Sequence, residues 1–289
     1  MSDEEIQRLK KMVQSLEAEL KARNFEVITY RSEMQKFSQK LDALMAKVAT
    51  DTQALAQIQK ALIPAELPKI PGVEISRKFV FGSKSGGDYF DIFEHEDKFR
   101  FGILLASSSG YAMSALFLSL ILKVSHMLEA KKGNPPEKVL QLMAEELKPL
   151  AGPKDQTNVF YGVVNRRDYS LKFCSAGRIE AFYMNSSKMV QRLKADHGPL
   201  SHEFAGNLSC AQIELESQSR LCLVTDGLYD VLGADVIVKA MTDNMKSGVH
   251  ELRNELLFQA QRISGLAEPE RDQTVIVLET KDQVIKLAK

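Results

Sequence analysis

Gly86-Gly87-Asp88-Tyr89-Phe90-Asp91 and, one strand later, Ala106-Ser107-Ser108-Ser109-Gly110 decide how this chain is read. Two glycines ahead of an aspartate let the backbone bend sharply and come close to another group. Carboxylates held on such a bend suit a hard divalent cation, which binds through oxygen. The second segment offers three hydroxyls and no carboxylate. One half of the pair suits a metal, the other does not.

Composition limits what surrounds that pair. At 289 residues the chain has room for one large domain with an extension, or for two modest ones. Its hydrophobic share of 44% and charged share of 26% are those of an ordinary globular protein. Net charge is zero, so no overall field draws nucleic acid or an anionic membrane, and neither is expected as a partner. The start, Met1-Ser2-Asp3-Glu4-Glu5, is acidic and lacks the apolar run of a secretory signal. The most apolar stretch, Ala112 to Leu122, is shorter than the ~18 residues of a membrane span. Cys174, Cys210 and Cys222 are odd in number and lack ligand spacing, which predicts small core residues in a reducing compartment. A cytoplasmic location is the expectation.

Residues 3–63 contain neither Gly nor Pro, and their apolar positions recur at alternating spacings of three and four. With Ile6 as a, the a series runs Ile6, Val13, Leu20, Val27, Met34, Leu41, Val48, Leu55 and Leu62. The d series runs Leu9, Leu16, Arg23, Tyr30, Phe37, Leu44, Asp51 and Ile58, polar only at Arg23 and Asp51. A 3.5-residue repeat kept up for this long predicts a left-handed coiled coil. Branched residues at several a positions with Leu at several d positions favour a parallel pair, hence a homodimer. The alternative is a helix packed on its own domain. Pro64, Pro68 and Pro71 then end the helical pattern. The expected division is a coil over 1–63, a proline-rich linker over 64–72 and a second domain over 73–289.

From Val73 the period changes. Strands are predicted over 73–81, 98–106, 158–165, 170–175, 180–184, 189–193, 211–216, 221–225 and 273–280. Helices are predicted over 111–131, 136–147, 235–246 and 249–263. Strands clustered around hairpins, rather than alternating strictly with helices, predict an α+β layered sandwich. A further acidic turn, Thr225-Asp226-Gly227, follows the apolar strand Leu221-Cys222-Leu223-Val224, and Arg271-Asp272-Gln273-Thr274 opens the last strand. The five histidines are scattered, and no Ser stands in a nucleophile elbow.

Taken in order, these segments resemble the 2C-type (PPM) metal-dependent serine/threonine phosphatases. The similarity is to their bacterial sporulation and stress-response branch, which acts on anti-anti-sigma factors. Gln57 to Leu62 with Ile63-Pro64 and Leu67-Pro68 resembles that branch's lead-in segment. Gly86 to Asp91 resembles its first metal motif, and Leu104 to Ala112 occupies its second. Asn158 to Val164 and Ser175-Ala176-Gly177-Arg178 resemble its central strands and turn. Thr225-Asp226-Gly227 and Arg271 to Val275 resemble its last two motifs. The resemblance implies an αββα sandwich of two antiparallel sheets flanked by helices, here preceded by a long N-terminal coiled-coil helix. It also implies two Mg²⁺ or Mn²⁺ ions held by aspartates and activating a water. Asp88 and Asp226 match ligands, and Asp91 and Asp272 are further candidates. Ser107 and Arg271 stand where the family has aspartates, so the formal charge at the four matched positions goes from −4 to −1. Two dications would be poorly compensated there, and Arg271 could itself pair with Asp88 or Asp226. The expectation is therefore a dimeric pseudophosphatase that needs no cofactor and binds a regulatory protein of the anti-anti-sigma type. The alternative is an active Mn²⁺- or Mg²⁺-dependent protein phosphatase with an altered site, acting on such a phosphoprotein.

Overall fold

Short apolar-rich segments after Val73 pair into two antiparallel sheets. The computed structural model describes residues 57–59, 62–64, 66–83, 87–109, 123, 132–193, 197–204, 206 and 208–281, with scattered positions between 11 and 40. The chain divides into two compact units, Met1–Gln53 and Ala54–Lys289. In the first, the described residues are helical, and Val13, Leu16, Leu20 and Val27 are exposed. Ile58, in the second unit, is also exposed. The remaining seam positions, Ile6, Leu9, Tyr30, Met34, Phe37, Leu41, Leu44, Val48 and Leu55, lie outside the described residues. So does the helix expected over 111–131, apart from Lys123, whose ammonium donates to the Leu62 carbonyl at 2.7 Å.

Ten strands are described in the second unit: β1 (Val73–Val80), β2 (Asp88–Glu94), β3 (Arg100–Ser109), β4 (Gln156–Asn165), β5 (Ser170–Ala176), β6 (Glu180–Met184), β7 (Val190–Leu193), β8 (Ala211–Glu214), β9 (Arg220–Val224) and β10 (Gln273–Thr280). Three helices are described in full beside them: α1 (Pro136–Leu147), α2 (Asp226–Asp243) and α3 (Val249–Ser264). One sheet has the order β1-β10-β9-β6-β7 and the other β2-β3-β4-β5-β8. Alternation along the strands explains the layers. Phe90, Ile92, Ile103, Leu105, Leu221, Leu223, Ile276 and Leu278 fill the space between the sheets. Tyr89, Phe93, Leu104 and Tyr161 face the other way, onto α1. Cys222, Val224, Val275 and Val277 likewise face α2 and α3. Helix, sheet, sheet, helix is the result.

Three expectations are corrected. The sequence pattern missed β2, because five of its seven residues are buried, on both faces of the strand, and leave no polar–apolar alternation to detect. The helix expected from Asp235 begins at Asp226 instead, directly at the end of β9, and is broken at Gly233, whose φ is 70°. The cysteines are not all reduced core residues: Cys174 and Cys210 form a disulfide, while Cys222 is buried and free. Spacing along the chain hid that pairing. The antiparallel register of β5 with β8 creates it, since Phe173 opposes Ala211 and the next rung sets 174 against 210.

One buried ion pair ties the first sheet to its helices. Arg220 on β9 donates to Glu279 on β10 at 2.5 Å, and both side chains are buried. The same guanidinium donates to the carbonyls of Asn244, at 2.7 Å, and Ser247, in the α2–α3 connection. Removing one partner leaves a buried, uncompensated charge. Arg220→Met is therefore expected to lower unfolding free energy by about 3 kcal/mol, read from urea or thermal denaturation, with Lys281, itself half-exposed, as the remaining cation on Glu279.

Candidate functional site

The site lies where the ends of β2, β3, β9 and β10 meet the start of α2. Antiparallel register sets Asp88 on β2 opposite Ser107 on β3. The rung beyond Val224 and Val275 brings Thr225 beside Thr274. Asp226 follows as the first residue of α2, where the helix dipole favours a negative charge. Gly227 is required by close approach, for a Cβ there would stand 2.1 Å from the Asp272 carbonyl oxygen.

Asp88 is buried, and its Oδ2 accepts hydrogen bonds from the hydroxyls of Thr225 at 2.9 Å and Thr274 at 2.7 Å. Asp226 is also buried, and both of its carboxylate oxygens are engaged. Oδ1 accepts from the Ser107 hydroxyl at 2.8 Å, and Oδ2 from Arg271 Nη1 at 2.8 Å. Arg271 continues to Asp230, one helical turn beyond Asp226, and Arg178 reaches the other oxygen of Asp230. Two carboxylates and two guanidiniums thus alternate across the mouth of the site.

The remaining candidates separate. Arg271 and Asp272 both precede β10, which begins at Gln273, and they engage different groups: Arg271 turns to Asp226 and Asp230, Asp272 to Gly82, Gln59 and Asp88. Asp272 is buried: Oδ1 accepts from the Gly82 amide at 2.9 Å, and Oδ2 from Gln59 Nε2 at 2.6 Å and the Asp88 amide at 3.3 Å. It therefore fastens the lead-in segment and the start of β2. Asp91 is not part of the cluster. Three residues along a strand from Asp88, it lies on the opposite face, where Tyr89 donates to it at 3.5 Å.

Sequence reasoning missed Asp230, Arg178, Gln59 and the two threonines. Starting α2 at Asp226 would have put Asp230 four residues on, on the same helix face. Gln59, whose amide also donates to the Asp88 carbonyl at 3.1 Å, carries no local signal, because its partners come from distant segments.

Burial pushes the Asp88 carboxyl up to about 8, reinforced by the nearby Asp272 and Asp226 charges and opposed by the Thr274 and Ser107 hydroxyls. Burial works against the charge of Arg271, but Asp226 and Asp230 draw it above its ordinary value. The Asp88 shift sets the sign of a pH effect. Between its ordinary 3.8 and about 8, the folded chain keeps a proton that the unfolded chain has released. Asp88 thus makes unfolding easier as pH rises from 4 to 8, by up to about 1.4 kcal/mol per unit. Asp88→Asn should remove that slope from a series of denaturation midpoints taken across this range.

Comparison with known proteins gives the geometry its relatives. The family model for Stage II sporulation protein E (SpoIIE) matches residues 97–281. The phosphoserine phosphatase RsbP of Bacillus subtilis is 20% identical over 216 residues, covering 72% of this chain and 53% of RsbP. The chain thus spans about half the length of that curated relative. Among solved structures, the PP2C domain of SiaA from Pseudomonas aeruginosa superposes with a TM-score of 0.69 at 18% identity, covering 83% of this chain and 99% of that one. RsbX in complex with magnesium gives 0.60 at 16% identity, covering 74% and 98%. These likenesses establish the two-sheet phosphatase fold, and the family match runs through β3 to β10 with Asp226 and Arg271 inside it. The chain belongs to the SpoIIE family.

Proposed function

We propose that this chain is a signalling pseudophosphatase: a protein-binding regulator that keeps the phosphatase fold without a working two-metal centre. The observation that carries the reading is the double occupation of Asp226, by the Ser107 hydroxyl on one oxygen and the Arg271 guanidinium on the other. A pair of dications sharing a hydroxide needs several free carboxylates around it. Of the four matched positions only Asp88 and Asp226 are acidic, and a guanidinium stands among them. Asp272 spends its oxygens on two backbone amides and Gln59, and Asp91 lies on the other face of β2. The residues present do not fit two ions. What they do provide is an arrangement in which Asp88 and Asp226 both have hydroxyl or guanidinium partners.

Binding then becomes the work of the domain. Its partner is a regulatory protein of the anti-anti-sigma type, by analogy with the branch that the sequence resembles, and its place is the cytoplasm. Residues 1–63 join two copies as a parallel coiled coil. Support comes from the 3.5-residue repeat and from the exposure of Val13, Leu16, Leu20 and Val27 in a single chain. The competing reading is an active phosphatase using an altered, single-metal site at Asp88 and Asp226.

Calorimetric titration with Mn²⁺ and assay of a phosphoserine peptide separate the two. The wild-type chain is expected to give neither heat of binding nor turnover. Ser107→Asp combined with Arg271→Asp should gain Mn²⁺ affinity by at least about tenfold, because it restores two carboxylates and removes a cation. Mn²⁺-dependent turnover by the wild type, lost in Asp88→Asn, would overturn the proposal. For the coil, sedimentation of the full chain should give twice its 32.4 kDa mass. Leu16→Glu with Leu20→Glu should shift it to the monomer, since both changes bury charge in the seam.

A further inference from the structure

A second cluster of reactive side chains lies away from the carboxylates. Cys174 and Cys210 are directly opposed across β5 and β8, with Cα atoms 4.4 Å apart and their sulfurs bonded. That spacing is the one antiparallel strands give at a non-hydrogen-bonded rung, where side chains come closest. Glu137, in the first turn of α1, stands 3.2 Å from Cys210 Sγ and pairs with Lys172 at 2.8 Å. Cys174 is buried and Cys210 only partly so. Burial pushes the third thiol, Cys222, up to about 12, which leaves it unreactive.

The bond holds Cys210, and residues 197–204 ahead of it are fastened to the rim of the carboxylate site. Gly177 donates its amide to the His197 carbonyl at 2.9 Å, and Leu200 and Thr157 exchange backbone bonds at 2.9 and 2.8 Å. Thr157 also meets the Ser108 hydroxyl at 3.1 Å. Next to Gly177, the Arg178 amide donates to Asn158 Oδ1 at 3.0 Å, and its guanidinium reaches Asp230. A covalent tie on β5 therefore bears on the same strand end that presents Arg178.

We propose that Cys174 and Cys210 are a reversible redox site, closed by a peroxide and reopened by small thiols, that sets how firmly residues 197–204 hold the rim carrying Thr157 and Arg178. Closure takes two electrons from the sulfur pair. The S–S bond forms, the O–O bond of the peroxide breaks, and the two thiol protons leave with its oxygens as two waters. In reopening, a small thiolate attacks the more accessible Cys210 sulfur and Cys174 departs, taking a proton from water. A second small thiol then releases Cys210 and leaves as the small-molecule disulfide. None of this depends on whether Asp88 and Asp226 hold a metal.

The test uses the full chain, reduced with dithiothreitol, desalted and treated with hydrogen peroxide. Thiols titrated after denaturation should fall from three to one, with an intact mass lower by about 2 Da, and dithiothreitol should restore both. Amide hydrogen exchange over 197–204 and at 177–178 should speed up by at least about tenfold on reduction. Cys210→Ser should exchange like the reduced chain whether or not peroxide is present. If that variant does not fold, the wild-type comparison alone decides. Three surviving thiols, cross-linked dimers, or equal exchange in the two states would overturn the proposal. So would zinc found on the reduced chain and shielding its thiols from peroxide, since Glu137 and the two sulfurs would then be metal ligands.

Discussion

Asp88 is a carboxylate with almost no access to water, and the arrangement of four strand ends follows from what it takes to keep it there. An isolated buried charge is too costly to persist, so such a group must be paired, hydrogen-bonded or neutralised. Two threonine hydroxyls supply the hydrogen bonds, and both come from the other sheet. The contact joins strand ends of the two sheets through a polar interaction, where most of the space between them is filled by hydrocarbon. With Asp272 and Asp226 near enough to raise its proton affinity, a proton does for Asp88 part of what a cation would do.

The neighbouring carboxylate is satisfied by another route. Asp226 sits at a helix start, with a hydroxyl on one carboxylate oxygen and a guanidinium on the other. Arg271 is well matched to that role. Its planar fork spans Asp226 and Asp230, which lie one helical turn apart, and it cannot lose its proton under ordinary conditions. Arg178 closes the chain from the β5 side. Half of the Arg271 side chain is exposed, so this network adds little to stability. Its effect is on chemistry: it fixes both oxygens of Asp226 in place.

The layered fold was legible because it rests on periodicities. All nine strand predictions overlap observed strands, among them β6 and β10, which agree to the residue. The misses share a cause. β2 is buried on both faces, so a motif rich in chemical meaning was read as a bend rather than a strand. The start of α2 was placed late because Gly227 and Gly233 break the helical pattern. With the helix start went Asp230. In the site, Ser107 and Arg271 could be singled out from motif order, but not their meeting on Asp226. That contact joins residues 119 and 45 positions apart.

The disulfide shows the same limit from the other side. Three unevenly spaced cysteines carry no message until register is known, and register comes from the pairing of β8 with β5. β8 has four residues and is the edge strand of its sheet, so little but the rungs near Phe173 fixes it. A covalent bond one rung beyond those pairings matters most on such a weakly held strand. On a central strand, flanked on both sides, the same bond would change little. Cys222 is on one, between β10 and β6, and there its sulfur only fills space.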